Sequence, residues 1–187
     1  MDKIETGIGS HGPDETDWKN GLEEEVGEKM NTLQRSRMGI REEDRFMEAA
    51  IAEARMGLEE GGIPIGSVLV LDGQIIGRGH NRRVQNGSAI LHAEMDCLER
   101  AGRLRAEEYQ HCTLYSTLSP CDMCCGTVLL YKIPRVVAGE NQTFQGPEEY
   151  LRSRGVELEI LDHPECIALM EAVIRAQPEL WNEDIGV

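Results

Sequence analysis

The chain has 187 residues, of which 40% are hydrophobic and only 4% are aromatic. This length allows one domain of ordinary size with residues to spare, and such a domain buries most of its unfolded surface without disulfide support. The 34 acidic and 19 basic residues give a net charge of −15. Because nucleic-acid binding draws its affinity from Lys and Arg on phosphates, this charge argues against a nucleic-acid partner and favours a small uncharged substrate.

The sequence contains no apolar run of transmembrane length, and none near residue 1 that could form the core of a signal peptide. We therefore expect an intracellular protein without a membrane partner, located in the cytoplasm, with the nucleus as the alternative compartment. Six cysteines stay reduced in such a compartment, so their clustering indicates metal binding or catalysis ahead of disulfides.

Residues 1–40 are polar and acidic and show no sustained apolar periodicity. A segment of this composition cannot bury enough apolar surface to offset its ordering entropy. We predict a flexible acidic N-terminal extension over 1–40 and a folded domain over 41–187.

The folded domain opens with the pattern of an amphipathic helix that ends at Gly61-Gly62. Its apolar residues recur at intervals of three and four: Phe46, Met47, Ala50, Ile51, Ala54 and Leu58. Two strands, over 65–71 and 74–79, then flank Asp72-Gly73. This dipeptide is typical of a two-residue hairpin turn because both of its positions need a positive φ.

After a loop over 81–88, helices and strands alternate. Ser119 is the predicted N-cap of one helix and Pro120 its first helical residue, where the missing N–H of proline costs nothing. The predicted elements are a helix over 91–101, a strand over 113–116, a helix to about 132, a strand over 135–139, a helix over 147–154, a strand over 156–161 and a helix over 164–176. The alternation indicates an α/β fold whose mixed sheet begins with an antiparallel hairpin and continues with mostly parallel strands.

Two short motifs carry the chemistry. His92-Ala93-Glu94 is followed by Pro120-Cys121-Asp122-Met123-Cys124, and together they match the H-x-E and P-C-x-x-C pattern of zinc-dependent deaminases. A helical spacing of three places both thiols of the second motif on one side of the helix, at chelating distance. We therefore predict that His92, Cys121 and Cys124 bind one Zn²⁺ per chain and leave the fourth tetrahedral position to water.

Glu94 is the predicted catalytic residue. Zinc lowers the pKa of its bound water from about 16 towards about 7, and a carboxylate beside a ligand can carry the released proton. Cys125 lies four residues from Cys121 and could reach the same face, so Cys124 is preferred on the motif alone. A lone C-x-x-C is more often a redox pair or half of a structural zinc site, and only the combination with the first motif favours a catalytic centre.

Further segments resemble the yeast-type cytosine deaminases, within the cytidine and deoxycytidylate deaminase superfamily, over about 42–186. These segments are Glu60-Gly61-Gly62-Ile63-Pro64-Ile65-Gly66, Gly77-Arg78-Gly79-His80-Asn81, Gly87-Ser88-Ala89, Thr117-Leu118-Ser119-Pro120-Cys121-Asp122-Met123-Cys124 and Glu183-Asp184-Ile185-Gly186. One difference is Ala93, since the yeast-type motif has glycine there. The segment 142–149 is also one residue shorter.

The resemblance implies a three-layer α/β/α cytidine deaminase-like fold, a homodimer, and hydrolysis of free cytosine to uracil and ammonia in pyrimidine salvage. It also implies the substrate contacts. Asn81 matches a substrate-binding asparagine, Asp184 matches an aspartate that closes the pocket, and Phe144 and Trp181 match aromatic walls that stack on a pyrimidine. Without the resemblance, these four residues have ordinary structural interpretations, such as a loop cap, a solvated acid and two core aromatics.

Three alternatives stay open at this point. A related deaminase of guanine or of tRNA adenosine would carry the same zinc motif, although the net charge disfavours tRNA. A non-catalytic zinc-binding protein is the third alternative. The presence of Glu94 beside only three predicted ligands argues against it.

Overall fold

The computed structural model describes residues 42–187, so the extension predicted over 1–40 lies outside the described residues. In chain order the elements are α1 (Glu42–Glu59), β1 (Gly66–Leu71), β2 (Gln74–His80), α2 (Arg83–Asn86), α3 (Ala93–Ala101), α4 (Ala106–Tyr109), β3 (Cys112–Ser116), α5 (Asp122–Tyr131), β4 (Arg135–Ala138), α6 (Glu148–Ser153), β5 (Glu157–Ile160), α7 (Pro164–Ala176) and α8 (Pro178–Ile185).

The five strands form one mixed sheet in the order β2-β1-β3-β4-β5. Strand β1 is antiparallel to both of its neighbours, whereas β3, β4 and β5 run parallel. The hairpin between β1 and β2 turns at Asp72 and Gly73, whose φ angles are 47° and 80°. The predicted antiparallel start and the predicted parallel continuation are both confirmed.

Helices cover both faces of the sheet, as predicted. Alternate strand residues point to opposite faces, so Leu69, Leu114 and Val136 join one apolar cluster with residues of α3 and α5. Val68 and Tyr115 belong to the cluster on the other face, which includes residues of α1 and α7. The result is a three-layer α/β/α arrangement with an aliphatic core on each side of the sheet.

The structure differs from the predicted elements in four places. A short helix, α2, lies within the predicted loop over 81–88, and neither α4 nor α8 was predicted. The helix expected to begin at Ser119-Pro120 begins at Asp122, with Cys121 as its N-cap. Ser119 does not cap this helix, because its hydroxyl oxygen accepts the backbone N–H of Gly146 at 3.2 Å while its hydrogen is donated to Glu148 Oε1 at 2.9 Å.

Strand β2 and helix α3 approach each other so closely that their backbones meet. A Cβ atom on Gly79 would lie 2.4 Å from the backbone nitrogen of Cys97 and 2.7 Å from the carbonyl carbon of Asp96. Asp96 also ties α3 to the end of β2, because its Oδ2 accepts the backbone N–H of His80 at 3.2 Å. Glycine at position 79 therefore allows α3 to pack directly against β2.

We predict that Gly79→Ala lowers the free energy of unfolding by about 1–3 kcal/mol, because two backbones must separate to admit the methyl group. Gly126→Ala is the matched control, since a Cβ at this position in α5 meets no atom within 4 Å. It should leave stability unchanged or raise it by up to about 1 kcal/mol, as alanine does in helix interiors. Urea unfolding of both variants measures the difference. Equal stability of the two would contradict the close-packing interpretation.

Candidate metal centre

The N-terminal ends of helices α3 and α5 lie side by side. His92 is the N-cap of α3, with φ −63° and ψ 164°, and Cys121 is the N-cap of α5, with φ −71° and ψ 176°. Cys124 follows in the first turn of α5. Because both cap residues have extended backbones, their side chains lie at the ends of the helices, where exposed N–H groups favour anionic ligands such as thiolates.

The three predicted ligands form a cluster whose donor atoms all lie within 4.8 Å of one another. The distances are 3.7 Å between the two sulfurs, 3.4 Å from His92 Nδ1 to Cys121 Sγ, and 3.9 Å from His92 Nδ1 to Cys124 Sγ. Zinc–sulfur and zinc–nitrogen bonds of normal length at a tetrahedral angle require about 3.8 Å between two sulfurs and about 3.5 Å between sulfur and nitrogen. The cluster therefore fits one tetrahedral Zn²⁺.

Cys125 lies outside the cluster. Its thiol is buried and donates to the carbonyl oxygen of Pro120 at 3.3 Å, and its side chain packs in the apolar core beside α3 and α5. Burial raises the pKa of this thiol to about 12. Cys125 is thus placed as a core residue, and the geometry favours Cys124 as the second thiolate ligand.

The three donors of the cluster shift one another's pKa values, and Cys121 is the one whose pKa favours the thiolate. The pKa of Cys121 falls to about 4, first because the Cys124 thiol donates a hydrogen bond to it and also because of the hydrogen bond with His92. The pKa of Cys124 is raised well above the usual value by the same sulfur–sulfur contact and by burial. Burial by itself would lower the pKa of His92, but Cys121 and Glu94 raise it overall.

Glu94 lies beside the cluster in the first turn of α3, with only 4% of its surface exposed. Its Oε1 accepts a hydrogen bond from Ser116 Oγ at 3.1 Å, and its Oε2 lies 3.3 Å from Cys124 Sγ. Burial raises the pKa of this carboxyl group, and the neighbouring Cys121 adds to the effect. A carboxyl group with a raised pKa can accept a proton and return it near neutral pH.

A small cavity opens onto Glu94, His92 and Cys121. Phe144 and Trp181 form part of its wall, with ring centroids 6.0 Å apart and ring planes at 85°. Two perpendicular aromatic walls suit a flat ligand that stacks on one ring and meets the edge of the other. The remaining lining residues are Ile65, Leu118, Ser119, Asp184 and Ile185.

Asn81 is fully buried and does not line this cavity. Its Nδ2 donates to Asp184 Oδ2 at 2.9 Å, and its Oδ1 accepts the backbone N–H of Arg83 at 3.1 Å. One amide hydrogen and one lone pair of Asn81 are left after these contacts. Three of the four predicted substrate contacts, Asp184, Phe144 and Trp181, therefore lie on the cavity wall. The fourth, Asn81, lies behind Asp184.

The loop before Cys121 is supported from α6. Glu148 Oε1 accepts hydrogen bonds from Ser119 Oγ at 2.9 Å and from Asn141 Nδ2 at 3.0 Å. Gly146 lies so close that an added Cβ would be 1.9 Å from the carbonyl oxygen of Pro120. These contacts hold the Cys121 ligand loop in place.

A sequence profile described as the cytidine and deoxycytidylate deaminase zinc-binding region matches residues 40–140. A cytosine deaminase of Candida albicans is 49% identical over 146 residues, which are 78% of this chain and 97% of the relative. The chain belongs to this deaminase family. Membership and the ligand cluster together confirm the predicted zinc cofactor.

Other relatives and solved structures match shorter stretches of the chain. A tRNA-specific adenosine deaminase of Streptococcus pyogenes is 42% identical over 111 residues, covering 58% of this chain and 70% of the relative. A solved tRNA:A34 deaminase is 30% identical with a TM-score of 0.59, covering 67% and 98% of the two chains. A guanine deaminase from Nitrosomonas europaea is 22% identical with a TM-score of 0.56, covering 67% and 81%, and indicates the fold alone. The predicted cytidine deaminase-like fold is confirmed.

Several residues of the deaminase site were not predicted from the sequence. Ser116 at the end of β3 and Glu148 on α6 contact site residues through hydrogen bonds between distant segments. Arg83 contacts Asp184, which lies on the cavity wall. The only local signal was a polar residue at the end of an apolar strand, in the case of Ser116.

We predict that Cys124→Ser loses most of its bound zinc and that Cys125→Ser keeps one zinc ion per chain. The two variants make the same chemical change at adjacent positions, and only the first removes a donor from the cluster. Elemental analysis of the purified proteins measures the zinc content, and far-ultraviolet circular dichroism checks that both are folded. Loss of zinc from folded Cys125→Ser, with retention by Cys124→Ser, would reverse the ligand assignment.

Proposed function

We propose that this chain catalyses the hydrolytic deamination of free cytosine to uracil and ammonia. One observation carries the proposal: the buried carboxyl group of Glu94 adjoins a three-donor zinc site at the end of a small, aromatic-walled cavity. The similarity to the Candida albicans cytosine deaminase supports it, because it covers 146 residues of this chain, against 111 for the adenosine deaminase of Streptococcus pyogenes.

The proposed chemistry assigns a proton-transfer role to Glu94. A bound zinc ion supplies the activated water of this reaction class. Glu94 accepts a proton from the attacking water and delivers it to N3 of cytosine, which makes C4 more electrophilic. As the water oxygen bonds to C4, Glu94 moves the second proton to the exocyclic amine, and the C4–N bond breaks to release ammonia. The hydrogen bond from Ser116 orients Glu94 for both transfers.

The base would be held by the cavity wall. We propose that Phe144 and Trp181 contact the faces and edge of the pyrimidine, and that Asp184 accepts a hydrogen bond from one of its N–H groups. Asn81 acts on the base through Asp184, which it orients with its amide group from behind the cavity wall. A ring without a sugar suits the small cavity that these two aromatic side chains border.

Two alternatives are disfavoured by particular observations. A tRNA substrate is disfavoured because the chain has a net charge of −15, which repels a polyanion. A closed, non-catalytic zinc site would need a fourth protein ligand, and within residues 42–187 the cluster contains three, with the Cys125 thiol directed to Pro120 instead.

We predict that Glu94→Gln keeps its zinc but lowers kcat for cytosine by about 10²–10⁴-fold, because the amide cannot accept and return a proton. Glu165→Gln is the matched control, since Glu165 forms an exposed ion pair with Arg55 on another part of the molecule. Release of ammonia and the ultraviolet absorbance change of cytosine measure turnover. A kcat within about tenfold of the parent in Glu94→Gln would show that another group transfers the proton.

We predict that kcat/KM for cytosine exceeds that for cytidine and for guanine by at least about tenfold, because a sugar or a second ring would have to enter a small cavity walled by Phe144 and Trp181. An ultraviolet assay with the three compounds under identical conditions makes the comparison, and a tRNA anticodon stem-loop with adenosine is added as the fourth substrate. A clearly better rate with cytidine, guanine or the tRNA would overturn the cytosine assignment while leaving the deaminase site intact.

We also propose that the protein acts as a homodimer. A groove of about 780 Å³ lies between α3, α4 and α5 and is bordered by Leu130, which is 72% exposed, and by Tyr131, whose ring stacks on Tyr109 at 4.4 Å. An exposed apolar patch of this kind is typical of an association surface. Sedimentation velocity should show a dimer that Leu130→Asp converts to a monomer, and a monomeric parent protein would contradict the proposal.

We propose the cytoplasm as the compartment and pyrimidine salvage as the metabolic role. All six cysteines are free, which suits a reducing compartment. In residues 42–187, none of the helices has the length and apolar character needed to cross a membrane. Imaging of a tagged full-length chain tests the location, and growth on cytosine as the sole pyrimidine source tests the role.

A further inference from the structure

The side chain of Arg83 joins two segments that are about one hundred residues apart. It extends from α2 to the C-terminal end of α8, where its Nη1 donates to three acceptors. These are Asp184 O at 2.9 Å, Asp184 Oδ1 at 3.1 Å and Glu183 O at 3.1 Å. One guanidinium group therefore contacts both the backbone and the carboxylate of the helix end.

The end of α8 needs such a donor. Gly186, in the left-handed conformation with φ 77°, ends the helix and donates to the carbonyl of Asn182. The carbonyls of Glu183 and Asp184 lie in the last turn, where no following helical N–H group can reach them. A guanidinium group satisfies these acceptors and also offsets the partial negative charge at a helix C-terminus.

Arg83 also acts on Asp184 through Asn81. The backbone N–H of Arg83 donates to Asn81 Oδ1, which fixes the amide so that its Nδ2 faces Asp184 Oδ2. The two carboxylate oxygens of Asp184 are thus held separately, one by Arg83 and the other by Asn81. With 7% of its surface exposed, Asp184 has a fixed direction on the cavity wall.

We propose that Arg83 is a positioning residue that fixes the last turns of α8 against the cavity and thereby sets the affinity for the base. Trp181 and Asp184 are three residues apart on one side of α8, so both move with the helix. The identity of the base, cytosine, rests on the proposed function. Glu94 lies on α3 and is held by Ser116, so the proton transfers do not depend on this contact.

Loss of the Arg83 contacts should increase the mobility of the C-terminal end of α8, while the helix stays packed on the domain. Trp181 is 5% exposed and packs in a separate apolar cluster, which keeps the start of the helix in place. The buried members of that cluster are Ile63, Ile65, Ala93, Leu118, Met170 and Trp181. The expected effect is therefore on KM rather than on folding.

The test compares Arg83→Met, Arg83→Lys and the control Arg55→Met in the full-length chain. Arg55 is the matched control because it donates to Glu165 across α1 and α7 at 2.7 Å, in an exposed contact away from the cavity. All variants carry Trp18→Phe, so that Trp181 is the single tryptophan. The measurements are kcat and KM for cytosine, acrylamide quenching of Trp181 fluorescence, and thermal unfolding.

In Arg83→Met we expect KM for cytosine to rise about tenfold or more while kcat stays within about threefold, as fits the loss of charge-assisted hydrogen bonds that position a binding group. Quenching of Trp181 should increase. Arg83→Lys should have a KM between those of the parent and Arg83→Met, because an ammonium group keeps the positive charge but lacks the planar donor geometry of a guanidinium group. Arg55→Met should match the parent in all three measurements.

The inference would be overturned if KM and the quenching of Trp181 were both unchanged in Arg83→Met. It would also be overturned if kcat fell in this variant while KM stayed the same. If the parent protein does not act on cytosine at all, the proposed function fails, and the quenching comparison then decides the inference by itself. Increased quenching in Arg83→Met relative to Arg55→Met supports the positioning role, and equal quenching excludes it.

Discussion

The site depends on one constraint, namely that two helices begin side by side at the carboxyl end of β3. His92 and Cys121 are the N-cap residues of these helices, and Cys124 follows within one turn. The extended backbone at each cap brings the imidazole and the thiols together, while the free N–H groups of both helix ends favour negative charge on the sulfurs. The same arrangement places Glu94 inside the protein and next to the ligands, where its carboxyl group has a raised pKa.

Close backbone packing and buried carboxylates keep the two helices in position. Gly79 lets β2 touch α3, and Asp96 adds a hydrogen bond to the end of the same strand. On the other side, Glu148 holds Ser119 and thereby the loop that leads to Cys121. Gly79 and Asp96 do not line the cavity, whereas Ser119 is part of its wall, and all three contacts help to position a metal ligand or Glu94.

The cavity wall is built from parts of the chain that are far apart. Phe144 belongs to the loop before α6, whereas Trp181 and Asp184 belong to the last helix. Apolar packing brings the two aromatic rings to 6.0 Å from each other. The packing of these distant segments therefore determines the shape of the cavity beside the zinc ligands. The polar contacts of Arg83 give the wall its fixed position.

Local signals in the sequence determined the hairpin at Asp72-Gly73, most helices and strands, the mixed sheet and the three ligands, because turn geometry, apolar periodicity and ligand spacing all act over a few residues. Long-range contacts decided the rest. Ser119 does not cap a helix because its hydroxyl group accepts from Gly146 and donates to Glu148, which lie 27 and 29 residues away. The choice of Cys124 over Cys125 required the direction of each thiol, and the end of α8 required an arginine about one hundred residues away. Only the folded chain brings such partners together, since their pairing depends on packing and leaves no periodic or spaced pattern in the sequence.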